Sequence, residues 1–483
     1  MHRALQINEV LTMILRSYGD CCQQRTMSAI LAATCRTFSE PASDVLWEAL
    51  PRLEPLLRCI PDEEFARPAP SQGWRRFLKH AARVKSLVID GVDADEVNER
   101  LPTLLTLRSR SEVGILPNLR KLAVRHSFLG LEPAEEPSPH DLHFFLFLGH
   151  KLESVRLQTC DEDSFHLVYQ LAISCPRLRY LDVPQFPKGA ARIIRCFSAL
   201  EELDCDEPPI DVDVLEGLAY LPSLRRLSVT LPYDFRGVGT RATRDKMFPA
   251  LQKLEVGNVQ DLRHLLYLLR SIRSPDLHEL SVYLSSCHAD ESSGTIHQTF
   301  NMLTKFPKLR RLTIRGFSAT IDTPFPPRAI LCLHHLEEIC FEVGGLTMAS
   351  QRLADLARGC PKLRRFTAYS SDQPGWPLEV LESFAEHFPE LEYLHTRLDT
   401  CNAPTVGPPS ACTLTPVCLR LEESPLKEEH WEQVAGYISL IYPHASFKFD
   451  PLWDEEDLRD TDKNALRWRQ VARVVARASS AGA

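Results

Sequence analysis

The sequence lacks several features that mark whole classes of protein. No run of 18 apolar residues, the length of a membrane-spanning helix, occurs anywhere in the chain. Its 56 basic residues are outnumbered by 64 acidic ones, which gives a net charge of −8. Because nucleic acids and anionic membranes attract surfaces rich in lysine and arginine, we expect neither as the main partner.

Motifs of common enzymatic chemistry are also missing. The chain has no His-Glu-x-x-His, no Gly-x-Ser-x-Gly and no Walker phosphate loop. Its 15 cysteines include no Cys-x-x-Cys pair, so the short spacing of zinc ligands is absent. We therefore expect a protein that is not an enzyme, with no catalytic residue, no metal and no cofactor, whose cysteines are small buried residues.

The beginning of the chain is predicted to be helical. Residues 1–18 alternate polar and apolar positions in helical fashion and do not have the pattern of a signal peptide. Unpaired cysteines are typical of a reducing compartment. These features predict an intracellular protein, located in the cytoplasm, the nucleus or both.

The chain does contain a repeated segment. Residues 175–183 read Cys-Pro-Arg-Leu-Arg-Tyr-Leu-Asp-Val, and variants of the frame Pro-x-Leu-x-x-Leu-x-apolar return about every 27 residues. Further copies begin at Pro117, Pro222, Pro249, Pro275, Pro307, Pro361 and Pro389, and copies without the proline begin at Val84, Leu152, Leu200 and Leu336. This period predicts a repeat architecture.

The spacing inside each copy predicts its local structure. The second leucine and the apolar residue two places later share one face of a short strand, because side chains alternate along strands. The proline ends the preceding helix, since it lacks an N–H and disfavours helical conformation in the residue before it. One-sided apolar patterns at residues 163–174 and 262–272 predict such helices. A unit of this size has to stack on its neighbours to bury its apolar face, which predicts a curved solenoid.

These repeats resemble leucine-rich repeats of the long, irregular kind. The resemblance lies in the Leu-x-x-Leu-x-apolar core and in Cys160, which follows Leu157 where the family places Asn or Cys. It implies an α/β solenoid over residues 81–450, with a curved parallel sheet inside and helices outside. In residues 451–483, an acidic segment precedes an amphipathic stretch at 464–476, which predicts a closing cap helix.

Residues 1–50 do not carry the repeat frame and show three apolar helical faces instead. The first face comprises Leu5, Ile7, Val10, Leu11, Ile14 and Leu15, the second Met27, Ile30, Leu31, Thr34, Cys35 and Phe38, and the third Ala42, Val45, Leu46, Trp47 and Leu50. A segment of about 45 residues is too small for a self-sufficient core, so we expect it to pack on something else. The prolines in residues 51–80 predict a linker between this module and the repeats.

This order of residues is similar to an F-box, the adaptor-binding module of SCF-type ubiquitin ligases. The similarity lies in the apolar opening at residues 5–11, in Leu-Ala-Ala-Thr-Cys-Arg-Thr-Phe at 31–38 and in Leu-Trp at 46–47. Gln6-Ile7 replaces the usual Leu-Pro, and the link between the first two helices is longer than usual. The resemblance implies that a Skp-type adaptor binds Leu5, Ile7, Val10, Leu11, Ile14, Leu15, Leu31, Cys35 and Trp47. The alternative is that the three helices only cap the first repeat.

Charged residues flank the second leucine of many copies and face the concave side of the predicted sheet. In four successive strands they are Glu279, Arg311, Glu338 and Arg365, which predicts a ladder of ion pairs between strands about 4.8 Å apart. This row is either a docking strip for a target or a self-neutralised surface. An acidic group elsewhere on this side is a candidate site for a basic segment of a target. The candidate target-binding residues are Asp182, Glu202, Asp204, Glu255, Arg311 and Arg365.

Together, these features predict the substrate-recognition subunit of a cullin-RING (SCF-type) E3 ubiquitin ligase. By resemblance, the first helices would bind the Skp-type adaptor, the repeats would bind an unknown target protein, and other subunits would carry out ubiquitin transfer. The alternative is a leucine-rich-repeat scaffold for protein–protein interaction with no ubiquitin role.

Overall fold

The computed structural model places most of the chain in two compact units, Met1–Leu224 and Arg225–Ala483. It describes residues 7–17, 21–61, 72–90, 104–105, 114–125, 145–158, 165–187, 189–205, 208–232, 247–285, 293–325, 327–348, 350–369, 375–400, 411–421, 423–449 and 463–481. Of the predicted site residues, Leu5 lies outside these ranges.

Short helices and short strands alternate along both units. The helices are α1 (Asn8–Arg16), α2 (Cys21–Thr34), α3 (Arg36–Glu48), α4 (Glu54–Leu57), α5 (Gln72–Ala81), α6 (Phe165–Ser174), α7 (Ala191–Ile194), α8 (Val212–Ala219), α9 (Leu262–Ser271), α10 (Ser293–Leu303), α11 (Ser350–Gly359), α12 (Val380–His387), α13 (Trp431–Ile441) and α14 (Lys463–Ala481), with a 3₁₀ turn at Ile330–Cys332. The predicted helices upstream of the strands at residues 180 and 279 are confirmed as α6 and α9.

Among the described residues, six strands lie in the first unit and the others in the second. Those of the first unit are β1 (Ala49–Leu50), β2 (Ser86–Ile89), β3 (Lys121–Val124), β4 (Ser154–Leu157), β5 (Tyr180–Asp182) and β6 (Glu202–Cys205). Those of the second unit are β7 (Arg226–Thr230), β8 (Lys253–Val259), β9 (Glu279–Leu284), β10 (Arg311–Phe325), β11 (Glu338–Met348), β12 (Arg365–Tyr369), β13 (Trp376–Pro377), β14 (Tyr393–Thr396), β15 (Leu398–Asp399), β16 (Cys418–Arg420) and β17 (Ser446–Phe447).

The strands pair in parallel and in chain order. In the first unit, β1 to β6 are successive neighbours. In the second unit, β7 to β12 are followed by β14, β16 and β17, while β13 and β15 pair with each other. Parallel neighbours need a crossover, and a helix lies in many of these connections, for example α6 between β4 and β5 and α9 between β8 and β9. The predicted α/β fold with a parallel sheet of leucine-rich-repeat type is confirmed.

The second leucine of each copy lies in the core, as its spacing predicts. These residues are direct partners across neighbouring strands within each unit, for example Leu280, Leu312 and Ile339. From β3 to β6 and from β7 to β16, the residues at this position are 2% exposed or less. Burying each such side chain contributes about 1.5–3 kcal/mol, so this row is the main source of the sheet's stability.

The helical module joins the first repeat directly. Helix α3 runs into β1, and Ala49 and Leu50 pair with Ser86 and Leu87 of β2. The segment expected to be a linker, residues 51–80, contains α4 and most of α5 instead. Pro55 lies in the first turn of α4, where proline is tolerated because its missing N–H has no helical partner anyway.

Helix α14 covers α13 at the other end, as the cap-helix prediction requires. The buried indole of Trp468 donates a hydrogen bond to the Ser424 carbonyl oxygen at 2.9 Å. The Asn464 side chain accepts one from the Leu426 N–H at 2.8 Å. These bonds satisfy backbone groups that would otherwise be left unpaired beneath the helix. The acidic segment before α14 lies outside the described residues.

The described cysteines carry free thiols. Cys175, Cys205, Cys340 and Cys360 are buried as expected, whereas Cys22, Cys196, Cys332 and Cys412 are exposed, so burial is not general. Within the described ranges, no group of His, Cys, Asp or Glu is arranged to hold a metal ion. Over the same ranges, no helix is both long and apolar enough to cross a membrane.

Replacing one of the buried leucines at the second strand position tests the register of the strands. Leu312 is fully buried, so Leu312→Ala leaves a cavity and should lower the free energy of unfolding by about 2–5 kcal/mol. Thr313, the next residue, faces away from the core, so Thr313→Ala should change it by less than about 1 kcal/mol. Urea denaturation measures both. Equal losses for the two variants would show that the assigned register is wrong.

Candidate interaction sites

The strands of the second unit present an open face opposite the leucine core. We define the open face as the first, third and fifth positions of the aligned strands β7 to β12. The first positions, which we call the charged row, are Arg226, Lys253, Glu279, Arg311, Glu338 and Arg365, followed by Tyr393 of β14. Alternation along each strand therefore separates a charged surface from the apolar core.

Five members of the charged row form a continuous series of ion pairs. Lys253 Nζ lies 3.1 Å from Glu279 Oε2, and Arg311 Nη1 lies 3.5 Å from the same oxygen. On its other side, Arg311 Nε lies 3.8 Å from Glu338 Oε2, and Arg365 Nε lies 3.5 Å from Glu338 Oε1. The predicted ion ladder is confirmed. Each glutamate is shared between two cations.

This pairing bears on the candidate target-binding residues Arg311 and Arg365. Arg311 lies between two carboxylates, and the Arg365 guanidinium lies 4.7 Å from the centre of the Tyr393 ring, in a cation–π contact. A ligand would have to compete with these contacts. The geometry therefore favours the self-neutralised alternative for this row, although exposed pairs of this kind are individually weak.

The candidate acidic residues of the first unit are also partly neutralised. Asp182 and Asp204 are direct partners on β5 and β6. Arg156 Nε lies 2.6 Å from Asp182 Oδ2, and the Tyr180 hydroxyl donates a hydrogen bond to Asp204 at 3.0 Å. Burial raises the pKa of Tyr180, and the two carboxylates add to this effect. Arg156 therefore partly neutralises the pair formed by Asp182 and Asp204.

Arg156 was not among the residues predicted from the sequence. It occupies the third position of β4, in register with Asp182, so comparing third positions would have found it. Glu202 is half-buried at the first position of β6. Glu255 belongs to the second unit, where burial and the Glu255 carboxylate raise the pKa of Tyr283. Of the four candidate acidic residues, Asp182, Glu202 and Asp204 therefore lie in the first unit and Glu255 lies in the second.

Two polar side chains at third positions, Cys340 of β11 and His395 of β14, have pKa values shifted by burial. Burial raises the pKa of Cys340 to about 12, so the thiol stays protonated and is a poor nucleophile. Burial, assisted by Arg420 and Arg315, lowers the pKa of His395 to about 3. Glu423 lies 4.0 Å from His395 Nε2, but at this distance its attraction does not offset the desolvation of the ring.

The helical module has its own core and a second apolar surface. Leu15, Ala42 and Val45 form the core, Leu31 packs against it, and Leu11 is 6% exposed. The exposed large apolar residues of the described part of the module are Ile7 (49%), which immediately precedes α1, Met13 (67%) and Ile14 (41%) of α1, and Ile30 (53%) of α2. We call these four residues the apolar patch.

The predicted adaptor-binding residues fall into different environments. Leu11 and Leu15 are core residues, which corrects their expected position on a binding face. Val10, Leu31 and Cys35 are half-buried, whereas Ile7 and Ile14 are exposed. Apolar periodicity reveals how wide a helical face is but not which part of it other helices cover. For the same reason, neither Met13 nor Ile30 was among the predicted adaptor-binding residues.

Trp47 and the charged side of α3 contact α5 and Arg83, which follows it. The Trp47 and His80 rings stack with centroids 4.1 Å apart. Glu40 pairs with Lys79 at 2.7 Å, and Asp44 pairs with Arg83 at 2.6 Å. Trp47 therefore helps to attach the module within the chain, as the cap alternative requires.

Glu48 strengthens this attachment from the end of α3. The Glu48 carboxylate forms ion pairs with Lys85 Nζ at 2.9 Å and with Arg16 Nη2 at 2.6 Å. Burial opposes its ionisation, but these two cations lower the pKa of Glu48 overall. Glu48 therefore links α1 to the beginning of the sheet while α1 keeps its apolar patch exposed.

Comparison with known proteins does not identify a family for the chain, so its fold is described from the structure alone. No protein-family model matches the chain, and no curated protein matches it in sequence. Among solved structures, an internalin from Listeria monocytogenes is similar over 62% of this chain and 77% of its own, with 16% identity and a TM-score of 0.34. Such a similarity supports no functional conclusion.

Reversing one charge tests the charged row. Arg311→Glu would place three carboxylates on adjacent strands and should lower the free energy of unfolding by about 1 kcal/mol at low salt, since it exchanges two attractions for two repulsions. High salt should reduce this loss by screening. Arg311→Ala is the control, with a smaller loss that depends less on salt. If the loss in free energy of unfolding caused by Arg311→Glu, measured by urea denaturation, does not depend on salt, the ion ladder is contradicted.

His395 makes a separate prediction about pH. The unfolded chain protonates this ring near pH 6.5, whereas the folded protein resists protonation until about pH 3, so the unfolded state binds more protons between these values. The His395 contribution is complete above about pH 6.5, and below it stability should fall by up to about 1.4 kcal/mol per pH unit. His395→Gln should remove this part of the pH dependence. An unchanged slope between pH 7 and pH 5 in urea titrations would refute it.

Proposed function

We propose that the chain is the substrate-recognition subunit of an SCF-type ubiquitin ligase, with α1 and α2 binding a Skp-type adaptor and the repeats binding a target protein. The observation that carries the proposal is the apolar patch of Ile7, Met13, Ile14 and Ile30. These side chains are exposed although the module already has a core of its own. An apolar surface left over after folding is typical of a protein–protein contact.

The attachment of the module supports this role. The polar side of α3 is joined to the repeats by ion pairs, whereas the apolar patch belongs to α1 and α2. A subunit that positions a target near a conjugating enzyme needs a stiff connection between its two binding regions, because proximity raises the effective concentration of target lysines. A direct α3–β1 junction is stiffer than the linker expected from the sequence.

The repeats would supply the target-binding part. Solenoids of stacked repeats present extended surfaces, and proteins commonly use them for recognition. The open face of the second unit and the Arg156–Asp182 group of the first unit are the polar surfaces on which a target would have to compete with existing pairs. Such a receptor would act in the cytoplasm, the nucleus or both.

A leucine-rich-repeat scaffold with no ubiquitin role is the second candidate. It is favoured by the stacking of Trp47 on His80 and by the salt bridges of Glu40 and Asp44, because these contacts make the module a cap on the first repeats. The two candidates differ in what they require of the apolar patch. Only the receptor needs it for adaptor binding.

Affinity pull-down of the tagged full-length chain, co-expressed with a Skp-type adaptor, separates the two candidates. Wild type should capture the adaptor, and Ile7→Asp/Ile14→Asp should reduce capture at least about tenfold, because each buried isoleucine contributes about 1.5–3 kcal/mol. Ile173→Asp is the matched control, since Ile173 is an exposed isoleucine of α6 outside the module, and it should leave capture unchanged.

Leu11→Asp would be a poor test, because Leu11 is a core residue and its substitution would unfold the module. Circular dichroism should show that the double variant retains the helical content of wild type. If folded wild-type protein captures no adaptor, the receptor proposal fails and the scaffold remains. Equal capture by wild type and the double variant would exclude the apolar patch as the adaptor site.

A further inference from the structure

A polar cleft lies in the second unit at the edge where its strands begin. Its volume is about 570 Å³, which is within the size range of small-ligand sites. The side chains that line it are Gln252, Asp276, His278, Lys308, Arg310 and His335. None of them belongs to the open face or to the apolar patch.

The strand register brings three of these residues side by side. Gln252, His278 and Arg310 each immediately precede a strand, namely β8, β9 and β10. The His278 N–H donates to the Gln252 carbonyl oxygen at 2.9 Å, and the Arg310 N–H donates to the His278 carbonyl oxygen at 2.8 Å. We call the residues that immediately precede the strands the entry row. Neighbours in it are about one strand spacing apart.

Several neighbouring positions of the entry row form ion pairs within each unit. Its pairs, with nitrogen–oxygen distances, are Arg120–Glu153 (3.7 Å), Arg179–Glu201 (3.7 Å), Arg310–Glu337 (3.7 Å) and Arg364–Glu392 (2.7 Å). At the cleft, the two positions before Arg310 are Gln252 and His278, neither of which is a carboxylate. Arg310 therefore has an acidic neighbour on only one side of the row.

Two of the lining residues are histidines, and each has a contact at Nδ1. His278 Nδ1 lies 3.2 Å from the carbonyl oxygen of Asp276, which only accepts, so Nδ1 carries the proton. His335 Nδ1 lies 3.4 Å from the Lys362 ammonium, which only donates. The neutral His335 ring therefore carries its proton on Nε2 and is a donor there.

The permanent charges of the lining favour an anion. Among the lining residues, Lys308 and Arg310 are positive and Asp276 is negative. Lys308 Nζ lies 2.5 Å from Asp276, and Arg310 lies 3.7 Å from Glu337, which is outside the lining. Lys308 has three N–H donors and Arg310 five, of which these ion pairs use a minority. Carboxylate and phosphate groups match such donors, and the arginine fork binds both in bidentate fashion.

We propose that this cleft binds an oxyanion, either the carboxylates of an acidic peptide or a phosphate group, through Lys308, Arg310 and His335. The proposal goes beyond the ligase role and does not depend on the apolar patch or on an adaptor. Gln252 and His278, the entry-row residues of the two strands before β10, bring no carboxylate to the cleft.

Fluorescence anisotropy of a fluorescein-labelled hexaglutamate peptide with the full-length chain tests the proposal. Wild type should bind it saturably, and Lys308→Ala/Arg310→Ala should weaken binding at least about tenfold, since two charge-assisted contacts are lost. The matched control is Arg177→Ala/Arg179→Ala, two exposed arginines at the same positions before β5, with the same change in net charge. It should bind within about threefold of wild type, because it changes only the long-range field.

A second variant adds charge instead of removing it. Gln252→Glu places a carboxylate in the cleft, so it should weaken binding comparably even if the double variant folds poorly. Thermal melts should show wild-type stability for Gln252→Glu. Failure of wild type to saturate below about 1 mM peptide, or an equal loss in the arginine control, would overturn the proposal.

Competition distinguishes the two sources of the oxyanion. Unlabelled hexaglutamate and pyrophosphate are titrated against the labelled peptide bound to wild type. Stronger competition by hexaglutamate would assign the cleft to an acidic protein segment, and stronger competition by pyrophosphate would assign it to a phosphate ligand. Displacement by neither would show that the labelled peptide binds through its dye, which contradicts the proposal.

Discussion

The burial of one large apolar side chain per strand, in register with its neighbours, is the constraint on which the other features depend. A slip of one residue would exchange every core side chain with a polar one on the opposite face, so the register is strongly specified. With Leu280, Leu312 and Ile339 aligned, the first position of each strand has to meet its counterpart on the next. The charged row, the Arg156–Asp182 group and the cleft are all consequences of that alignment.

The strand positions, the ion ladder and the cap helix could be predicted because they follow from local spacing. Two kinds of feature could not. The prolines in residues 51–80 indicated a linker, but α4 begins at Glu54 and includes Pro55, because the first turn of a helix tolerates proline. Leu11 and Ile14 looked equivalent on one helical face, although only Leu11 meets the core. The structure of residues 51–80 and the burial of Leu11 both depend on which surfaces the neighbouring elements cover. The spacing of apolar residues along the sequence does not reveal this.

The helical module combines two kinds of surface chemistry. Its α3 side is attached to the repeats by ion pairs and by the Trp47–His80 stack, and its α1 and α2 carry exposed apolar residues. The first kind of contact is partly solvated and contributes little per pair, so the direct continuation of α3 into β1 has to carry much of the attachment. A cap and a docking module are therefore compatible descriptions of the same three helices, whereas an independently tethered domain is not.

The sharing of each glutamate in the charged row between two cations constrains how the array can grow. Glu279 lies between Lys253 and Arg311, and Glu338 lies between Arg311 and Arg365. Duplicating one repeat within this region would place two like charges on adjacent strands, whereas duplicating two would preserve the alternation. Within the alternating part from Lys253 to Arg365, insertion of repeats therefore preserves the ion pairs only when repeats are added in pairs.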